Sequence, residues 1–222
     1  MEKEYNKNLI KRAFTALAII APIIFITFLQ NFLFFFLVTS LVCSVAYYEW
    51  LSNKFRHPIF WGFNLIFGYF WLLINLTVGE ILFSSAITLP LSVYSIFLIV
   101  IFNTAIFDTF AYITGSNIGK HYITPNISPN KTWEGLFGGL MGAAAFSLLI
   151  INMFNFSPLL ILIFILGGAL AFIGDLLISF QKRENNIKDT GSLLPGHGGI
   201  LDRLDSHLLA TPIILILMIL VI

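Results

Sequence analysis

At 222 residues, 58% hydrophobic and only 10% charged, the chain falls outside the soluble globular class, in which about 25% of residues carry charge. A net charge of +1 says little about partners; where the charges fall says more. A lone cysteine, Cys43 in an apolar block, excludes a disulfide framework and a thiolate zinc site.

Residues 1–12 are polar and basic. The apolar block Ala13–Leu29 is too long for a signal-peptide core and is followed by more of the same, so it predicts a first membrane span. Further spans are predicted over Phe32–Trp50, Phe60–Thr77, Ser92–Ile113, Leu136–Met153, Pro158–Ile178 and His207–Ile222. Residues 78–113 admit either one span after an irregular segment or two short spans; Pro90 breaks the run, Glu80 marks a polar edge, and the layout adopted has the one span. The expected fold is an all-α polytopic bundle of about seven transmembrane helices, forming a single domain over 1–222. Charge supports this layout. All 12 Lys and Arg fall in 1–12, 51–58, 114–135 and 179–206, which seven spans place on one side. The connections near 78–91 and 154–157 hold none. The positive-inside rule makes that side, with the N-terminus, cytoplasmic. Trp50, Trp61 and Trp133 fall near the same boundary, as interfacial tryptophans do.

Chemistry concentrates between Gly174 and Ser206, GDLLISFQKRENNIKDTGSLLPGHGGILDRLDS. Carboxylates that can hold Mg²⁺, cations that neutralise phosphoryl oxygens and glycines that admit backbone N–H groups occur there together. On a helix, Asp175, Ser179 and Lys182 share one face. On a second helix beginning near Asp202, so do Asp202, Asp205 and Ser206. The competing reading is a hydrophilic loop with ordinary helix-start acids, but that leaves Asp175 unexplained. Asp108 and Asp175 lie inside apolar spans, where a carboxylate is a functional candidate by default. The predicted span ends put both about 5–8 Å inside the cytoplasmic boundary. Ser128 and Lys131, just before a helix start, suit a phosphate, although Ser-Pro-x-x-Thr is also an ordinary helix start. His197 sits between Pro195-Gly196 and Gly198-Gly199, suited to a phosphate, a base or a turn cap. Walker A, GxGxxG, HExxH and nucleophile-elbow motifs are absent, and so is a basic nucleic-acid face.

Residues 179–205 resemble the signature of the phosphatidate cytidylyltransferases. The matching positions are Ser179, Lys182, Arg183, Lys188, Asp189, Pro195, His197, Gly198, Gly199, Asp202, Arg203 and Asp205. Gln181 departs from the usual apolar residue. An upstream family segment is matched by Asp108, Ala111, Tyr112, Gly115, Gly119, Lys120, Ser128, Pro129, Lys131, Thr132 and Gly135. The resemblance therefore covers 108–222, with 1–107 supplying N-terminal spans. It implies transfer of the cytidylyl group of CTP to phosphatidate at a bacterial inner membrane, with the site facing the cytoplasm. It implies Mg²⁺ on Asp175, Asp202 and Asp205, and leaves open a second cation such as K⁺. Asp175, Lys182, Arg183, Asp202 and Asp205 are the expected catalytic set. Asp108, Lys120, Ser128, Lys131, Ser179, Lys188, Asp189, His197, Gly198, Gly199 and Arg203 are the expected substrate contacts. A homodimer is one open assembly state. A CTP-dependent lipid kinase, a cytidylyltransferase for another lipid phosphate and a secondary transporter stand as alternatives.

Overall fold

A computed structural model describes residues 21–25, 27–62, 91–194 and 198–222. Residues 21–25 and 27–29 are helical. The remainder of the first predicted span, most of the third, Glu80 with nearly all of 78–91, and His197 lie outside the described residues.

Helix α1 (Phe32–Ser52) starts where the Asn31 side chain accepts from the Phe34 N–H. A short helix, α2 (Pro58–Gly62), follows a basic turn. Helix α3 (Val93–Ile118) is capped by Ser92, whose hydroxyl accepts from the Ser95 N–H. Strands β1 (Tyr122–Thr124) and β2 (Ser128–Thr132) form an antiparallel hairpin. Helix α4 (Trp133–Phe154) begins at Thr132, whose hydroxyl accepts from the Gly135 N–H, and ends at Asn155 in the left-handed region. Helices α5 (Leu160–Glu184), α6 (Leu201–Leu204) and α7 (His207–Val221) complete the described chain.

The mostly helical architecture agrees with the sequence. Four stretches are long and apolar enough to cross a membrane: Leu33–Ser52, Val93–Ile118, Trp133–Phe154 and Leu160–Glu184. Helix α7 is apolar but shorter. The fold differs from expectation in three respects. The polar stretch after α3, read from the sequence as a connection between spans, holds the short antiparallel β1–β2 hairpin, which ends in the extended Thr132 that caps α4. Helices α3 and α5 run on to Ile118 and Glu184, past the predicted span ends at Ile113 and Ile178, so Asp108 and Asp175 lie about 14–15 Å from their helix ends at 1.5 Å per residue. Trp50 is fully buried and Trp61 nearly so, packed with Phe55, Ile178, Leu201 and Leu208. They form a core joining α1 to α5, α6 and α7, and of the three tryptophans Trp133 alone is exposed.

Helix α4 lies against α3 through small residues. A side chain at Gly139 would place Cβ 2.6 Å from the Phe107 ring, and one at Gly142 would meet Phe110 at 2.7 Å. Gly135 approaches the Ala111 carbonyl in the same way. Gly135, Gly138, Gly139 and Gly142 make two overlapping G-x-x-x-G pairs, the spacing that lets helix backbones approach closely within a bilayer. This packing delivers the β1–β2 hairpin, attached to the start of α4, to the same end of the bundle as the last turns of α5.

Candidate active site

A polar cavity of about 400 Å³ opens where α3, β2, α4, α5 and the α6–α7 junction meet. Its walls carry Asp108 and Tyr112 from α3; Ser128, Asn130 and Lys131 from β2; Asp175 and Lys182 from α5; then Asp189, Asp202, Arg203, Asp205 and Ser206. Residues 67 positions apart in sequence thus share one wall because α3 and α5 both run toward this end while α4 returns between them.

The helical register predicted for α5 holds. Ser179 Oγ donates to Asp175 Oδ1 at 3.2 Å, four residues away. Asp175 Oδ2 forms an ion pair with Lys131 Nζ, and that ammonium also lies 5.0 Å from the Phe172 ring centroid. Lys131 is therefore held by a charge and by an aromatic face. One turn beyond Ser179, Lys182 Nζ reaches Asp202 Oδ1 at 2.8 Å, with both side chains largely buried. The other oxygen, Asp202 Oδ2, accepts from the Thr190 N–H at 2.7 Å, the Thr190 hydroxyl at 3.0 Å and the Gly199 N–H at 3.0 Å. Burial works against ionisation of Asp202, but Lys182 and these N–H donors outweigh it and hold its carboxyl below the usual range. Asp205 contrasts with it. Burial, then the neighbouring charge of Asp175, push its carboxyl up to about 8, with a weaker push from Asp108. The Ser206 N–H bond at 2.8 Å and the charge of Lys182 oppose them.

Several expected contacts are not on the cavity wall. Arg183 turns outward: Nε donates to the Ile127 carbonyl at 3.1 Å and Nη1 to the Ile187 carbonyl at 3.4 Å. It ties the hairpin to the end of α5. Lys120 and Lys188 are exposed and do not line the cavity; the Lys120 N–H donates to Glu134 Oε2 at 3.2 Å. Gly198 and Gly199 serve protein carboxylates. Gly198 has φ +80°, and a Cβ there would sit 2.7 Å from Asp202 Oδ2. A Cβ at Gly199 would overlap Glu49 Oε2 and Thr190 Oγ1. The wall also holds residues that were not among the predicted contacts, of which Tyr112, Asn130, Thr132 and Ser206 carry polar side chains. Tyr112 and Ser206 stand beside predicted residues and carry hydroxyls, which was the available signal.

Among the described residues no three carboxylates, histidines or cysteines stand close enough together to hold one metal ion. Asp202 in particular has both oxygens engaged. The donor chemistry is nevertheless of the hard oxygen type that suits a divalent cation, because Asp108, Asp175 and Asp205 line the same cavity. Mg²⁺ takes one or two carboxylates and completes its shell with water and phosphate oxygens.

A statistical model of the cytidylyltransferase family matches residues 66–221. The chain belongs to the cytidylyltransferase family. Within it, the chain is similar to phosphatidate cytidylyltransferases from Staphylococcus haemolyticus (44% identical over 115 residues, 50% of this chain and 44% of the relative) and Rickettsia bellii (44% over 117 residues, 48% and 50%). It is also similar to that of Pseudomonas aeruginosa (42% over 110 residues, 48% and 41%). The alignments thus span about half or less of the length of these curated relatives. The cavity of this cytidylyltransferase-family chain lies wholly within the matched region, since every wall residue falls between Asp108 and Ser206.

Proposed function

We propose that this chain transfers the cytidylyl group of CTP to phosphatidate, forming CDP-diacylglycerol and releasing pyrophosphate. The observation that carries this reading is a single cavity lined by Lys131, Lys182 and Arg203, by the carboxylates Asp108, Asp175, Asp202 and Asp205, and by Tyr112, Leu136 and Phe172. It offers charge for phosphates and an apolar edge for a lipid. A phosphate oxygen of phosphatidate attacks the α-phosphorus of CTP, a new P–O bond forms, and the bond to the β-phosphate breaks. That nucleophile is ionised near neutral pH, so the protein's task is alignment and charge neutralisation rather than strong base catalysis. Lys131 exchanges its bond to Asp175 for a substrate phosphate. Arg203 and Lys182 receive the triphosphate, and Ser128 and Asn130 donate to phosphoryl oxygens.

Mg²⁺, when bound, supplies neutralisation of the triphosphate charge. Asp175 and Asp205 would hold it, with Asp108 beside them and Asp202 joining where Lys182 gives up its bond. Seven spans, a cytoplasmic N-terminus and a site facing the cytoplasm of a bacterial inner membrane complete the reading. Its support is that every described cation between spans lies at the cavity end, and the 155–159 turn at the other end has none. The test is purified protein with CTP, Mg²⁺ and phosphatidate. CDP-diacylglycerol and pyrophosphate are expected in equal amounts, with loss of both on chelation. Pyrophosphate without the lipid product, or neither product, rules the reading out.

A further inference from the structure

Glu49 lies on α1, outside the region matched by the family model. It is 6% exposed, yet among the described residues no Lys, Arg or His pairs with it. A buried carboxylate without a cation persists only where fixed donors surround it. Here the donors all come from the loop that presents Asp202. Glu49 Oε2 accepts from the Thr190 hydroxyl at 2.9 Å and the Leu201 N–H at 2.9 Å, and Oε1 accepts from the Ile200 N–H at 3.0 Å. One turn on, Asn53 Nδ2 donates to the Thr190 carbonyl at 2.7 Å. Gly191 and Gly199 flank the carboxylate, and a Cβ at Gly191 would stand 2.7 Å from Oε1. The two glycines leave room for a glutamate reaching in from another helix.

Thr190 is the joint. Its hydroxyl lies within bonding distance of both Glu49 Oε2 and Asp202 Oδ2. With one proton it serves one carboxylate at a time, while its N–H holds Asp202 throughout. A continuous chain of bonds thus runs from α1 through Glu49, Thr190 and Asp202 to Lys182 at the cavity wall.

We propose that Glu49 is a positioning residue: α1 grips the 190–201 loop through it, and thereby fixes the Asp202–Lys182 pair in the nucleotide-handling cavity. The catalytic consequence rests on the cytidylyl-transfer reading; the anchoring does not. Glu49→Gln keeps the size but turns an N–H₂ toward donors that need an acceptor. Thr190→Val removes the hydroxyl joint, and Thr190→Ser retains it.

Amide exchange on the full chain in nanodiscs reads the anchoring. CTP turnover with phosphatidate reads the consequence. For Glu49→Gln and Thr190→Val, exchange in peptides covering 186–201 is expected to rise at least fivefold, with the α3, α4 and α5 peptides unchanged. kcat/KM for CTP is expected to fall at least tenfold, with KM for phosphatidate moving less than twofold, and Thr190→Ser is expected to restore both readouts. Unchanged loop exchange in both variants overturns the proposal. So does a rise throughout the helices, which would make Glu49 a general core residue. If wild type shows no turnover while the loop responds as described, the anchoring stands and the transfer reading falls.

Discussion

Lys182 and Arg183 are adjacent cations with different surroundings. Lys182 points inward to Asp202, whereas Arg183 spans two backbone carbonyls at the surface. Lys182→Ala removes a charge-assisted bond of about 1.5–3 kcal/mol, so turnover is expected to fall roughly tenfold or more. Arg183→Ala, which loses only its bonds to the Ile127 and Ile187 carbonyls, is expected to lower turnover by about threefold or less. Equal losses in steady-state assays of the two variants would place Arg183 on the substrate after all. Asp205 yields a pH prediction. An aspartate in an unfolded chain ionises near 4, whereas in the fold this carboxyl is pushed up to about 8. Between those values the native state binds the extra proton, so this residue's effect on stability turns progressively unfavourable as pH rises from about 4 and levels off above about 8. Metal-free protein should therefore show a falling Tm across that window, and Asp205→Asn should flatten the slope. A parallel slope in the variant would refute the assignment.

Among the elements, the α3–α4 pair sets the cavity's shape. Their glycine contacts hold α4 close, and α4 carries the β2 strand with Ser128 and Lys131 at its start. Gly139→Val would drive a branched side chain into Phe107, which is fully buried. Overpacking of this kind costs about 1–3 kcal/mol. The expected result is a lower Tm in detergent together with a higher KM for the nucleotide, as Lys131 is carried away from Asp175. Unchanged values for both would show that α4 tolerates displacement and that the hairpin is placed by other contacts, such as Arg183 on Ile127.

For the whole molecule, the apolar outer faces of α1, α3, α4 and α5 have one natural solvent, a bilayer. Exposed Leu37, Leu41, Phe110, Phe137, Leu148, Leu162 and Ile173 have no other. The hairpin and loop residues 185–194 lie at one end of the bundle, and the Asn155 turn at the other. Single cysteines at Lys120 and Asn185, in a Cys43→Ala background, should react with an impermeant reagent only from the cytoplasmic side, and a cysteine at Asn155 only from outside. Labelling of positions 155 and 185 from the same side would break the proposed layout.

What the sequence determined by itself was whatever depends on local pattern. Apolar blocks located α1, α3, α4 and α5 to within a few residues at most of their ends, because burying a helix backbone in lipid needs an uninterrupted apolar run. The i, i+4, i+7 spacing put Asp175, Ser179 and Lys182 on one face because helical geometry is fixed. The signature located Asp202 and Asp205, whose charges stand out against an apolar background. Only the tertiary structure decided which of these groups reach the cavity. Arg183 and Lys188 match the signature as well as Lys182 does, yet a helix end and a loop turn them away, and no periodicity describes a loop. Glu49 was read over as part of an apolar span, since its partners lie 141 to 152 residues further on. A carboxylate bound by backbone N–H groups has no residue type opposite it in the sequence, so its role exists only once α1 and the 190–201 loop are packed together.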